Sequence, residues 1–148
     1  MATIQLPPDF KEFLRLLNST EVEYLLIGGY AVNYYGYSRA TADLDIWVSA
    51  TPANAERVAQ AVRSFGFTQA DATAFLQPGK VIRMGVPPLR LEILTSISGV
   101  AFTECYDRRT EAELDGVKVH LIRLSDLKRN KQASGRLKDL LDLEQLAD

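Results

Sequence analysis

The 148-residue chain has one cysteine, Cys105, and one histidine, His120. A single cysteine closes no intrachain disulfide, and that pair of residues supplies no zinc-ligand set. Such usage suits a reducing cytoplasm. Long apolar runs are missing too: the longest are a handful of residues, far below the ~20 that span a bilayer. The amino terminus lacks a basic segment followed by an apolar core, so no secretory signal is expected. No repeat, low-complexity tract or Pro/Gly-rich linker divides the chain. There is no basic excess, because 17 Lys and Arg meet 19 Asp and Glu for a net charge of −2. Grip on nucleic acid through bulk phosphate neutralisation is therefore not evident, although basic residues gather between Arg123 and Lys138. A composition 47% hydrophobic and 24% charged argues against disorder and for a packed core. The expectation is a cytoplasmic protein without a membrane partner, with residues 1–148 forming a single domain.

The patterning mixes two periods. Phe10, Phe13, Leu14, Leu16 and Leu17 recur at helical spacing behind Pro7-Pro8. Tyr24-Leu25-Leu26-Ile27 reads as a buried strand that ends at Gly28-Gly29, and Tyr30 to Tyr35 as a short helix closed by Gly36. Pro52 opens a helix whose face is Ala55, Val58, Ala59 and Val62, ending near Phe65-Gly66. Val81 to Val86 and Leu89 to Leu94 read as strands separated by Pro87-Pro88, in a hairpin-like arrangement. Ala101 to Arg109 reads as a helix and Val117 to Ile122 as a strand after the turn Asp115-Gly116. Ser125 is expected to cap a last helical region, interrupted at Ser134-Gly135 and running on to Leu146. The fold class that follows is α+β, α/β-like: a small mixed β-sheet flanked by helices.

The most informative stretch is Arg39-Ala40-Thr41-Ala42-Asp43-Leu44-Asp45-Ile46-Trp47-Val48. Residues two apart on a strand face the same way, so Asp43 and Asp45 project together from one face while Leu44 and Ile46 face the other. Two carboxylates held close repel one another, and a hard divalent cation relieves that repulsion. Such an ion can orient a triphosphate and stabilise a leaving pyrophosphate. An isolated Asp-x-Asp is more often a solvent-facing pair on a half-exposed strand, so its companions matter. Gly28-Gly29 lets backbone N–H groups approach a phosphate. Glu92, between Leu91 and Ile93, is either on an exposed face or a third acid that ligates metal or deprotonates a hydroxyl.

Gly28-Gly29 followed by Arg39-x-Thr41-x-Asp43-x-Asp45 resembles the core motif of the DNA polymerase beta-like nucleotidyltransferase superfamily. The chain is similar in particular to the small bacterial group that includes AbiEii-type toxins. Leu91 to Phe102 resembles that group's third-carboxylate strand and following helix. Leu124-Ser125-Asp126-Leu127, Lys131, Arg136, Lys138-Asp139 and Asp142-Leu143-Glu144 match its carboxy-terminal part, so the resemblance covers roughly residues 22–146. The resemblance implies the minimal nucleotidyltransferase core and transfer of a nucleoside monophosphate from an NTP. It implies Mg²⁺ (or Mn²⁺) on Asp43, Asp45 and Glu92, and a triphosphate supported by Gly28 and Gly29. Lys131 and Arg136 become compensating cations, Asp139 fixes the last helix or a basic side chain, and Arg39 and Thr41 orient the turn or touch phosphate. The acceptor implied is an RNA, a protein or a small molecule, and a toxin role would bring an antitoxin partner. The chain departs from the family in one place: the third acid is more usually Asp, which leaves open an inactive nucleotide- or partner-binding module of the same fold.

Other residues carry less. His120 lies on an alternating strand and Cys105 reads as packing. Tyr30, Tyr34, Tyr35 and Tyr37 suit half-buried packing better than base stacking, and Gly79-Lys80 lacks the preceding glycines of a P-loop.

Overall fold

The computed structural model describes residues 4–85 and 89–146. Helix α1 (Pro8–Ser19) starts with proline at its first position, where a missing N–H costs nothing, and buries Phe10, Phe13, Leu14 and Leu17. Strand β1 (Tyr24–Ile27) is buried throughout and runs straight into α2 (Gly28–Tyr34). The two glycines are thus the first residues of the helix itself and not a separate turn before it. Strand β2 (Asp43–Val48) leads to α3 (Pro52–Phe65), which again opens on proline and packs on α1.

Strands β3 (Val81–Met84) and β4 (Arg90–Leu94) pair antiparallel, as the hairpin pattern predicts; Val86, Pro87 and Pro88 lie outside the described residues. Helix α4 (Phe102–Asp107) precedes β5 (Thr110–Leu114) and β6 (Val117–Leu121). The chain closes with α5 (Leu124–Ser134) and α6 (Leu137–Gln145). Ser125 is not the cap of α5: Arg123 holds that position without a side-chain hydrogen bond, and Ser125 sits inside the first turn.

The six strands form one mixed sheet in the order β3-β4-β2-β1-β6-β5. Pairing is parallel for β2 with β4 and for β1 with β6, and antiparallel elsewhere. The sheet-and-helix class read from the sequence is the observed one. Leu44, Ile46 and Ile93 are fully buried on the core side of the central strands. Trp47 shares the opposite face with Asp43 and Asp45, and there Phe102 of α4 covers it edge-on at 5.1 Å between ring centroids. The remaining stretch of that face is where the charged residues lie. Among the described residues no helix is long and apolar enough to cross a membrane.

Several residues resolve as packing. Tyr30 is buried, and the Tyr35 hydroxyl donates to the Ile122 carbonyl at 2.7 Å. Cys105 is buried beside Asp126, which is itself held by two hydrogen bonds from Arg108. His120 pairs with Glu111 on the neighbouring strand.

Candidate active site

Register places the acids. Asp45 of β2 stands opposite Ile27 of β1 on one side and Glu92 of β4 on the other, and Glu92 stands opposite Arg83 of β3. Arg83, Glu92, Asp45 and Ile27 therefore form a row across four strands, with neighbours about 4.8 Å apart along the sheet. Asp43 lies two residues before Asp45 on the same face. The crowding has an electrostatic consequence: burial, then the charges of Glu92 and Asp43, push the Asp45 carboxyl up to about 6, with Lys138 and Lys131 pulling the other way. Arginines occupy the two outer acids. Arg83 Nε donates to Glu92 Oε1 at 3.3 Å, and Arg90 Nε lies 3.7 Å from Asp43 Oδ1.

The glycines are explained by closeness. Gly28 has φ +70°, and a Cβ there would run into the Asp45 carboxylate. A Cβ on Gly29 would run into Thr41, whose hydroxyl donates to the Asp43 carbonyl at 3.3 Å. The first turn of α2 is thereby pressed against the acidic strand with no side chain between them.

The opposite wall is basic. Gly135, left-handed at φ 67°, turns α5 into α6 and brings Lys131 against Asp139 and Asp142 at 3.2 and 3.1 Å. Arg39 grips Asp142 with two hydrogen bonds of 2.8 and 2.9 Å. Arg136 and Ser134 donate to Asp139 at 2.7 and 2.6 Å. Burial alone would raise Asp139, but the hydrogen bonds from Arg136, Ser134 and Lys131 hold it well below the usual carboxylate range. Three cations thus share two aspartates, leaving the wall net positive.

Between the walls lies a cavity of about 390 Å³. All the sequence-predicted site residues line it except Thr41: Asp43, Asp45, Glu92, Gly28, Gly29, Arg39, Lys131 and Arg136 do. Thr41 lines a second, shallower hollow that shares Arg39 with the first. Lys131 is only 4% exposed and bound to two aspartates, so it is neither a solvated helix lysine nor an unpaired cation. Two charged residues of the cavity are not among the sequence-predicted ones. Lys138 is exposed and, among the described residues, makes no ion pair; it was visible only as a member of the carboxy-terminal motif. Arg83 carried no signal, because nothing in the sequence shows that its strand pairs with Glu92.

Among the described residues no group of three or more His, Cys, Asp or Glu side chains is arranged to enclose a metal ion by itself. The donor chemistry nonetheless suits Mg²⁺, which commonly takes one or two protein carboxylates and completes its shell with phosphate and water. Asp43 and Asp45, both on the cavity's acidic wall, are the carboxylates that would supply that pair.

The family model described as "Nucleotidyl transferase of unknown function (DUF2204)" matches residues 8–148. No curated protein matches the chain by sequence. Among solved structures, a nucleotidyltransferase candidate from Thermotoga maritima superposes with a TM-score of 0.64 at 12% identity, covering 96% of this chain and 94% of that one. The lincosamide antibiotic adenylyltransferase LnuA, with lincomycin bound, gives 0.59 at 16% identity over 97% and 98%. An antigenic nucleotidyltransferase-like protein from Paracoccidioides brasiliensis gives 0.56 at 17% over 92% and 72%. At these identities the likeness is one of fold.

Proposed function

We propose, from the premise that this chain belongs to the DUF2204 nucleotidyl transferase family, that it moves a nucleoside monophosphate from an NTP onto an acceptor hydroxyl. The observation that carries this reading is the cavity with an acidic wall of Asp43, Asp45 and Glu92 facing a basic wall of Lys131, Arg136 and Lys138. A metal triphosphate has the same division of charge. Asp43 and Asp45 hold Mg²⁺ (or Mn²⁺), which when bound neutralises phosphate charge and orients the triphosphate. Gly28 and Gly29 let the first turn of α2 lie against Asp45 and Thr41, so that its backbone N–H groups border the phosphates, and Arg136 and Lys138 take the charge of the departing pyrophosphate. Glu92 accepts the proton of the attacking hydroxyl as the new O–P bond forms at the α-phosphorus and the bond to the β-phosphate oxygen breaks. Lys131 and Arg39 act one step back, holding α6 and the loop before β2 in place through Asp139 and Asp142.

The acceptor is an RNA, a protein or a small molecule. Adenylyl transfer is the case to test first, since one protein of this fold is named for it. A toxin of the AbiEii type, partnered by an antitoxin, is a narrower form of the same reading. It is supported if expression arrests growth and the Asp43→Asn variant does not. One observation favours the rival, a binding module without turnover: Glu92 is already engaged by Arg83.

Calorimetric titration with each NTP, with and without Mg²⁺, tests the reading. Binding that needs Mg²⁺ and vanishes in the Asp43→Ala/Asp45→Ala variant supports it. Binding that survives the double substitution overturns it, and binding without transfer to any RNA, protein or small-molecule acceptor favours the rival.

A further inference from the structure

The row across the sheet has a direction. Reading from β1 outward, it starts at Ile27, the residue before Gly28, passes Asp45 and Glu92, and ends at Arg83 on the edge strand β3. If the triphosphate lies at the glycine end, in-line displacement puts the attacking hydroxyl on the far side of the α-phosphorus from the pyrophosphate. That far side is the β4–β3 end of the row. An acceptor whose hydroxyl meets Glu92 therefore places its next few atoms over Arg83.

We propose that Arg83 is the acceptor-recognition residue of this site, and that it selects acceptors carrying a phosphate close to the attacking hydroxyl. The inference rests on the transfer reading above and deepens it. Arg39, Lys131, Arg136 and Lys138 line the cavity from the loop before β2 and from the α5–α6 region, whereas Arg83 is, among the described lining residues, the one cation on the β3–β4 side. Its side chain is 61% exposed, against 17% for Glu92. It is therefore free to swing toward a ligand while Glu92 is not. Among the described residues its one ion pair, at 3.3 Å, is with Glu92. When Glu92 takes the hydroxyl proton it loses its charge, and the guanidinium loses that partner. A phosphate on the acceptor replaces it, in the two-pronged geometry guanidinium groups favour. A cationic acceptor would meet Arg83 as a like charge.

The test uses the full chain with Mg²⁺ and a non-hydrolysable ATP analogue, titrated with ribose, ribose 5-phosphate and a short RNA with a free 3′ hydroxyl. Ribose 5-phosphate or the RNA should bind at least about tenfold more tightly than ribose, as expected for a charge-assisted pair; whichever binds names the source of the phosphate. Arg83→Gln should abolish that preference and Arg83→Lys restore part of it, with affinity for the analogue unchanged in both. Equal binding of ribose and its phosphate, no binding of any phosphorylated probe, or a preference that persists in Arg83→Gln would each overturn the inference. Failure of the wild type to bind the analogue would instead bring down the transfer reading beneath it.

Discussion

Asp45 of β2 and Glu92 of β4 occupy matching positions of a parallel strand pair, side by side on the cavity face. Parallel neighbours carrying like charge destabilise a sheet unless something intervenes. Here two arginines and a basic wall stand around them, and still the Asp45 carboxyl is raised, by burial first and by Glu92 next. A family member with an apolar pair at this place would be easier to fold. The acids are an energetic cost that the fold carries, which is the pattern expected of a site built for a ligand.

The cost is measurable. The Asp45 carboxyl stands at about 6 in the folded chain against an ordinary 3.8. Between those values the folded state holds more protons than the unfolded one, so stability falls as pH rises through this window. Asp45→Asn removes the titration. In urea melts it should be the more stable protein at pH 7.5, by on the order of 1–3 kcal/mol, and should converge with wild type below about pH 4. A variant equally stable at both pH values would show that Asp45 is not strained.

Gly28→Ala should fail for two reasons that a control separates. Alanine at φ +70° is strained, and its Cβ also meets the Asp45 carboxylate. Gly36→Ala shares the unfavourable backbone, at φ +111°, but meets nothing within 4 Å. The control should lose about 1 kcal/mol. Gly28→Ala should lose more than about 2 kcal/mol and abolish Mg²⁺-dependent NTP binding, because Asp45 must move. Equal losses in the two variants would mean that the contact with Asp45 does not matter.

These cases show where the sequence was readable. The alternation through Asp43, Leu44, Asp45 and Ile46 fixed a strand with both acids on one face, and that is a local property. Glu92 was readable only as an alternative, since its placement beside Asp45 depends on β4 pairing with β2 across an intervening helix and a hairpin. Strand β5 was not readable at all. Thr110-Glu111-Ala112-Glu113-Leu114 has little β-propensity, and it is a strand because β6 offers an edge to pair with. Lys131 shows the same limit in a helix: its spacing says helix, but its burial depends on the corner at Gly135, which folds Asp139 and Asp142 back over it.

That corner makes a stability prediction. Lys131→Met keeps the bulk of the side chain but leaves Asp139 and Asp142 sharing two cations in a buried place. Removing one partner from such a network typically costs about 3–5 kcal/mol. Chemical denaturation should show a loss of that order, and the variant Lys131→Met/Asp142→Asn should recover part of it. The hydrogen bonds that hold Asp139 low stabilise the fold above the ordinary carboxylate range, and this support fades as pH falls through the lowered value. Wild type should therefore lose stability in acid more steeply than an Asp139→Asn variant. Parallel acid profiles would refute this.

Lys138 separates binding from folding. It lines the cavity, is exposed, and is the foremost cation acting on Asp45. Unlike Lys131, it makes no ion pair among the described residues, so its removal breaks no network. Lys138→Gln should change stability by less than about 0.5 kcal/mol. It should nevertheless weaken Mg²⁺–NTP binding by about tenfold, since the triphosphate loses a charge-assisted contact. Lys118→Gln, an exposed change of the same charge on β6 and outside the cavity, controls for net charge. Raising the salt should shrink the Lys138 effect if it is long-range attraction, and leave most of it if the ammonium touches phosphate. Equal behaviour of the two lysine variants would mean that Lys138 contributes only general positive potential, and the basic wall would then rest on Arg136 and the buried Lys131 network alone.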